Sequence, residues 1–149
     1  MEKLQANIQL MDNYIKEYNL NIKERIPENI DLELGCSITF EVVKIESNEK
    51  EKIGQVDMIY DINLIENEVE LGTIHLRMQA LFAGDIELND EKFEEMLKYN
   101  GAPILSQIIR AYITANTALS DMPTIKFPIM NFYKFFLVTY LKTKLYVLK

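Results

Sequence analysis

The chain has 149 residues, 48% of them apolar and 26% charged, and a formal net charge of −7. This length and composition suit one domain with its own hydrophobic core and exclude a disordered chain. A single cysteine (Cys36) and a single histidine (His75) exclude an internal disulfide framework and a Cys/His zinc site, and the acidic balance disfavours nucleic acid as a partner.

Residues 4–24 open the chain as a long strand candidate. Leu4, Ala6, Ile8 and Leu10 share one phase, and Tyr14, Tyr18, Leu20 and Ile22 continue it after Asp12-Asn13. Lys16 interrupts the pattern, which predicts a kinked or bulged strand. Residues 24–33 form a crossover in which Pro27 excludes a central-strand role. Residues 34–46 place Cys36, Ile38, Phe40 and Val42 on one face, with a phase break at Val42-Val43 that predicts a bulge. Cys36 therefore reads as a small core residue.

Two further strands follow. In 55–64, Val56, Met58, Tyr60, Ile62 and Leu64 alternate with mostly polar residues; in 73–82, Ile74, Leu76, Met78, Ala80 and Phe82 do the same. Glu66-Asn67-Glu68 reads as the hairpin turn between them. His75 and Arg77 lie on the polar phase of their strand. Asp57 and Asp61 share a face roughly 13 Å apart along the strand, and both read as solvated.

The rest of the chain reads as helical. Asn89 is a helix N-cap, with Asp90 and Glu91 in the first turn of a short helix over about 90–98. Gly101 ends that helix, and Pro103 starts the next. The second helix runs to about Leu119. Its apolar band is wider than one core-facing stripe, which predicts packing on two sides, one of them against a neighbouring subunit. A loop with Pro123 and Pro128 leads to a final helix over about 131–146. Strands first and helices after, without βαβ alternation, give α+β: a four-stranded antiparallel sheet with two main helices on one face, in one domain over 1–149.

Charge is unevenly spread. Residues 1–100 hold 22 acids and 10 bases, net −12; residues 101–149 hold one acid and six bases, net +5. The amino terminus lacks the pattern of a signal peptide, and no apolar run reaches the ~20 residues of a membrane span. A cytoplasmic protein without stable membrane insertion is expected. The sequence carries no nucleophile, metal-ligand or phosphate-loop signature, so neither enzymatic activity nor a cofactor is expected.

Residues 100–132, NGAPILSQIIRAYITANTALSDMPTIKFPIMNF, resemble the carboxy-terminal half of the SecB chaperone superfamily. The likeness rests on Pro103, Ile104, Leu105, Arg110, Pro123, Ile125, Phe127, Pro128, Asn131 and Phe132, above all on the spacing Pro123…Pro128…Asn131-Phe132. LQANIQLMDNYIKEYNLNI is similar to the first strand of that family. The resemblance implies an ATP-independent holdase that binds unfolded polypeptide in apolar grooves. Ile125, Phe127, Ile129 and Phe132 would line the groove, joined by Ile30 and Leu32 from the crossover. It also implies dimers or tetramers joined through the second helix, with Ile104, Ile108, Ile109 and Tyr112 at the interface. A translocase motor or an antitoxin are the partners the family suggests; the basic KTKLYVLK departs from the tail of export chaperones. The alternative is an adaptor of the same fold that binds one folded partner.

Overall fold

A computed structural model of the chain describes residues 8–27, 30–120, 122–125, 131, 132, 134 and 143–148, the last six by backbone only. Four long strands, β1 (Ile8–Ile22), β2 (Glu33–Ser47), β3 (Glu51–Glu66) and β4 (Val69–Asp85), precede a helical run. That run comprises α1 (Asp90–Met96), a π-helical turn (Leu97–Gly101) and α2 (Ala102–Ala118). A short β5 (Thr143–Leu148) follows. The sheet is antiparallel in the order β1-β4-β3-β2-β5.

The alternating residues fill one face. Val56, Met58, Tyr60, Ile62 and Leu64 of β3, with Ile74, Leu76, Met78, Ala80 and Phe82 of β4, are all buried. Cys36, Ile38 and Phe40 of β2 extend the same layer. Burying each large apolar side chain contributes about 1.5–3 kcal/mol, so this face decides which side the helices cover. The β3–β4 turn places Asn67 and Glu68 at φ 47° and 66°, the left-handed pair of a type I′ hairpin. In the β2–β3 turn, Asn48 Oδ1 accepts hydrogen bonds from the amides of Lys50 and Glu51, each at 2.8 Å.

The β2 bulge lies where the phase break placed it, between Val42 and Lys44. In β1 there are two register shifts, between Leu10 and Asp12 and between Ile15 and Glu17. Each inserts one unpaired residue, Met11 and then Lys16. The first flips the inward phase from even to odd, and the second flips it back. Tyr18, Leu20 and Ile22 therefore face the core as expected, but between the bulges Ile15 does so instead of Tyr14, which stands exposed on the opposite face.

The helices also depart from expectation. Asn89 caps α1, its Oδ1 accepting from the Lys92 amide at 2.7 Å. Gly101 does not end the run. The Ala102 amide reaches back five residues to the Leu97 carbonyl, and the chain continues into α2. Pro103 has no amide to donate to the carbonyl four residues earlier, and the wider turn carries the chain across that gap. It also turns both Leu97 and Gly101 inward, where a Cβ on Gly101 would lie 3.3 Å from the Phe82 ring. Along α2, Ala102, Leu105, Ser106, Ile109, Ile113 and Thr117 form the buried stripe. Tyr60 and Ser106 share a buried hydroxyl hydrogen bond of 2.8 Å between β3 and α2. Tyr18 meets Tyr112 edge to face at 5.2 Å between β1 and α2.

The expected final helix over 131–146 is corrected at its far end. Asn131 Oδ1 accepts from the Lys134 amide at 3.1 Å, and Phe132 and Lys134 are helical. Thr143–Leu148, however, is a strand paired with β2. TKLYVL carries two β-branched residues and a tyrosine, a composition that fits a pleated edge better than a helix.

Candidate functional site

The crossover and the start of the loop after α2 both contribute to the core, through Ile26 and through Met122 and Ile125. Ile26 is buried in the core, while Ile30 and Leu32 are half-buried and packed against it.

The loop after α2 begins as a clamp. Thr114 Oγ1 donates to the Ile125 carbonyl at 2.9 Å, and the Ile125 amide donates to Thr117 Oγ1 at 3.0 Å. The Thr117 hydroxyl proton goes to the Ile113 carbonyl at 2.8 Å. Two threonines one helical turn apart thus satisfy both backbone groups of Ile125, whose side chain enters the core at 4% exposure. Phe132 is likewise in the core, at 3%. Both were expected to line a binding groove; here they anchor the loop. Phe127 and Ile129 lie outside the described residues. Leu119, where α2 ends, is 86% exposed.

Of the four residues expected at an oligomer interface, Ile109 is fully buried in its own chain. Ile104, Ile108 and Tyr112 are half-buried on the flanks of α2. Ile109 therefore presents no surface, whereas Ile104, Ile108 and Tyr112 keep part of theirs.

The opposite face of the sheet is polar and internally paired. His75 Nδ1 lies 2.5 Å from Asp61 Oδ1, and Nε2 lies 2.8 Å from Glu17 Oε2. Both ring nitrogens can donate only as imidazolium; the hydrogen bonds to Asp61 and then Glu17 hold the pKa above its ordinary value. Arg77 pairs with Asp57 through Nη2 and through Nε at 3.1 Å, and its Nη1 lies 3.7 Å from Glu17. Gln79 Nε2 donates to Asp57 Oδ1 at 3.0 Å, and the Tyr14 hydroxyl bonds to Gln79 Oε1. Asp57 is thus buried and paired, which corrects its reading as a solvated carboxylate.

The partnership follows from hairpin register: Asp57 stands opposite Gln79 and Asp61 opposite His75. Counting back from the Asn67-Glu68 turn would set Asp57 opposite Met78 and Asp61 opposite Ile74; the register shift between Leu64 and Ile65 moves both by one residue, so the turn alone does not give these partners. A cavity of about 220 Å³ on this face is lined by Asp12, Tyr14, Gln55, Gln79, Ala80 and Leu81. It is smaller than usual small-molecule sites. Cys36 is buried, which pushes its thiol up to about 12, so it is held as the neutral, unreactive form. Among the described residues, no group of three His, Cys, Asp or Glu side chains could hold a metal ion, and no helix is long and apolar enough to cross a membrane.

No protein-family model matches the sequence, and no curated protein matches it. Among solved structures, the Mycobacterium tuberculosis SecB-like chaperone Rv1957, in complex with a ChAD peptide from the Rv1956 HigA1 antitoxin, matches with a TM-score of 0.65. The match covers 84% of this chain and 92% of that one at 15% identity. A Streptococcus agalactiae protein of unknown function aligns over 81% of this chain and 96% of its own, at 12% identity and a TM-score of 0.43. The chain, an antiparallel sheet with a helix packed on it, thus has a SecB-like fold.

Proposed function

We propose that this protein is an ATP-independent chaperone that holds extended or unfolded polypeptide against apolar surface beside α2. The observation that carries this reading is the fold, shared over most of both chains with a chaperone solved with a peptide bound. Three local features support it. Ile30 and Leu32 are half-buried at the rim of the core. Leu119 is exposed where the loop departs from α2. The loop is fastened at Ile125 by backbone hydrogen bonds that do not depend on the residues following it. Apolar side chains on a fixed support suit a binder that reads no particular sequence.

The client is an unfolded chain in the cytoplasm, an antitoxin or an export precursor, and the working form is a homodimer or tetramer joined through the flank of α2. The test is aggregation of a chemically denatured enzyme on dilution, followed by light scattering. Suppression near one client per oligomer is expected, without nucleotide. Unchanged aggregation at a several-fold excess of protein overturns the proposal. Recovery of one stoichiometric folded partner, with no binding of denatured chains, would replace it with an adaptor function.

A further inference from the structure

The two edges of the sheet are unlike each other. Among the described residues nothing pairs with the outer edge of β1, and that strand is broken twice, at Met11 and Lys16, within 15 residues. Bulges of this kind blunt an edge against further pairing. The edge of β2 is regular from Glu33 to Val42 before its own bulge. A regular edge presents a ladder of backbone donors and acceptors that another strand can join. Here it is covered over Leu34–Thr39 by β5, in unbroken antiparallel register from Leu34 opposite Leu148 to Thr39 opposite Thr143. Among the described residues, β5 is the shortest strand, and it pairs on one side only.

Its chemistry differs from that of the body it joins. TKLYVL belongs to the basic part of the chain, net +5, and rests on a body of net −12. Backbone pairing is indifferent to sequence, and the charge difference favours lysine-bearing segments.

We propose that the β2 edge over Leu34–Thr39 is an acceptor site for extended polypeptide of mixed basic and apolar sequence, and that β5 occupies it as a displaceable internal ligand. A client strand adds to β2 when β5 leaves, so the chain carries its own competitor. The identity of the occupant rests on the chaperone reading; the seat itself does not.

The test uses the full chain in two locked states. Positions 37 and 145 stand opposite each other, and opposed antiparallel residues lie about 4.5–5.5 Å apart at Cα, within disulfide reach. In a C36A background, S37C with L145C closes the seat when oxidised and frees it when reduced. L145P with Y146P removes two successive backbone donors, one of which faces β2, and opens the seat permanently. The probe is a fluorescein-labelled peptide LKTKLYVLK, followed by anisotropy.

At least tenfold weaker binding is expected in the oxidised than in the reduced form, and at least tenfold tighter binding to the proline variant than to the parent chain. Equal binding in both redox states overturns the proposal. So does failure of the cysteines to close, or closure between two chains, which would give the seat to a second copy. If the proline variant does not fold, the redox pair alone decides. A denatured client run in parallel separates the two ideas: a seat that takes the peptide but never the client fails the chaperone reading and leaves the acceptor site standing.

Discussion

At the scale of single residues, His75 couples the sheet face to pH. Its folded pKa lies above the ordinary value of about 6.5 because Asp61 and Glu17 both bind the imidazolium. A raised folded pKa means the contribution is complete below about pH 6.5 and is lost as pH rises through the folded value. The His75 ring proton followed by NMR should titrate above that of a model peptide, and H75Q should flatten the dependence of thermal stability between pH 6 and 8. Glu68 makes a second residue-scale case. A side chain at φ 66° pays about 1–2 kcal/mol that glycine does not, against glycine's larger chain entropy of about 0.5–1 kcal/mol. Glu68→Gly should therefore stabilise the fold by a few tenths to about 1 kcal/mol in urea unfolding. The turn was legible in the sequence; the burial of Asp57 was not, because alternation assigns a face and says nothing of the partners across it.

Elements bring in contacts between segments distant in sequence. Thr117 sits on a buried helical stripe, yet its hydroxyl serves the loop eight residues on. Thr117→Val keeps the volume and leaves the Ile125 amide without its acceptor. A cost of about 1–3 kcal/mol is expected, with faster hydrogen exchange at Ile125 than elsewhere in the core. The long strands and α2 could be read from period-2 and period-3.6 patterns because burial on one face imposes them. The π-helical turn could not, since Gly101 and Pro103 together spell a helix end and a helix start. Only the packing of Leu97 and Gly101 against β3 and β4 shows that the run continues. Likewise TKLYVL leans toward strand in composition only, and its pairing with the edge of β2 decides.

For the whole molecule, the two isoleucines of IIR allow folding to be tested apart from the proposed assembly. Ile109 is fully buried, so Ile109→Asp places a charge in the core and should unfold the chain by circular dichroism. Ile108 is half-buried on the flank of α2. Ile108→Asp should leave the fold intact and lower the mass measured by light scattering. Parent mass at all concentrations would remove α2 from the interface. The carboxy-terminal motif anticipated the fold, which the chain shares over 84% of its length with a SecB-like chaperone. The resemblance put Ile125 and Phe132 at a groove and the structure buries both side chains; a family pattern marks positions that matter without saying whether they matter to clients or to the core.

The paired bulges of β1 also govern how the chain tolerates changes in length. Met11 and Lys16 have no partner in β4, so deleting either one joins flanking residues that are already in register and turns an irregular step into a regular one. Deleting a paired neighbour such as Asn13 instead shifts part of the strand by one and exchanges its inner and outer faces. The first strand thus contains two positions where a codon can be lost without inverting the sheet, and single-residue deletion variants compared for soluble yield would locate them.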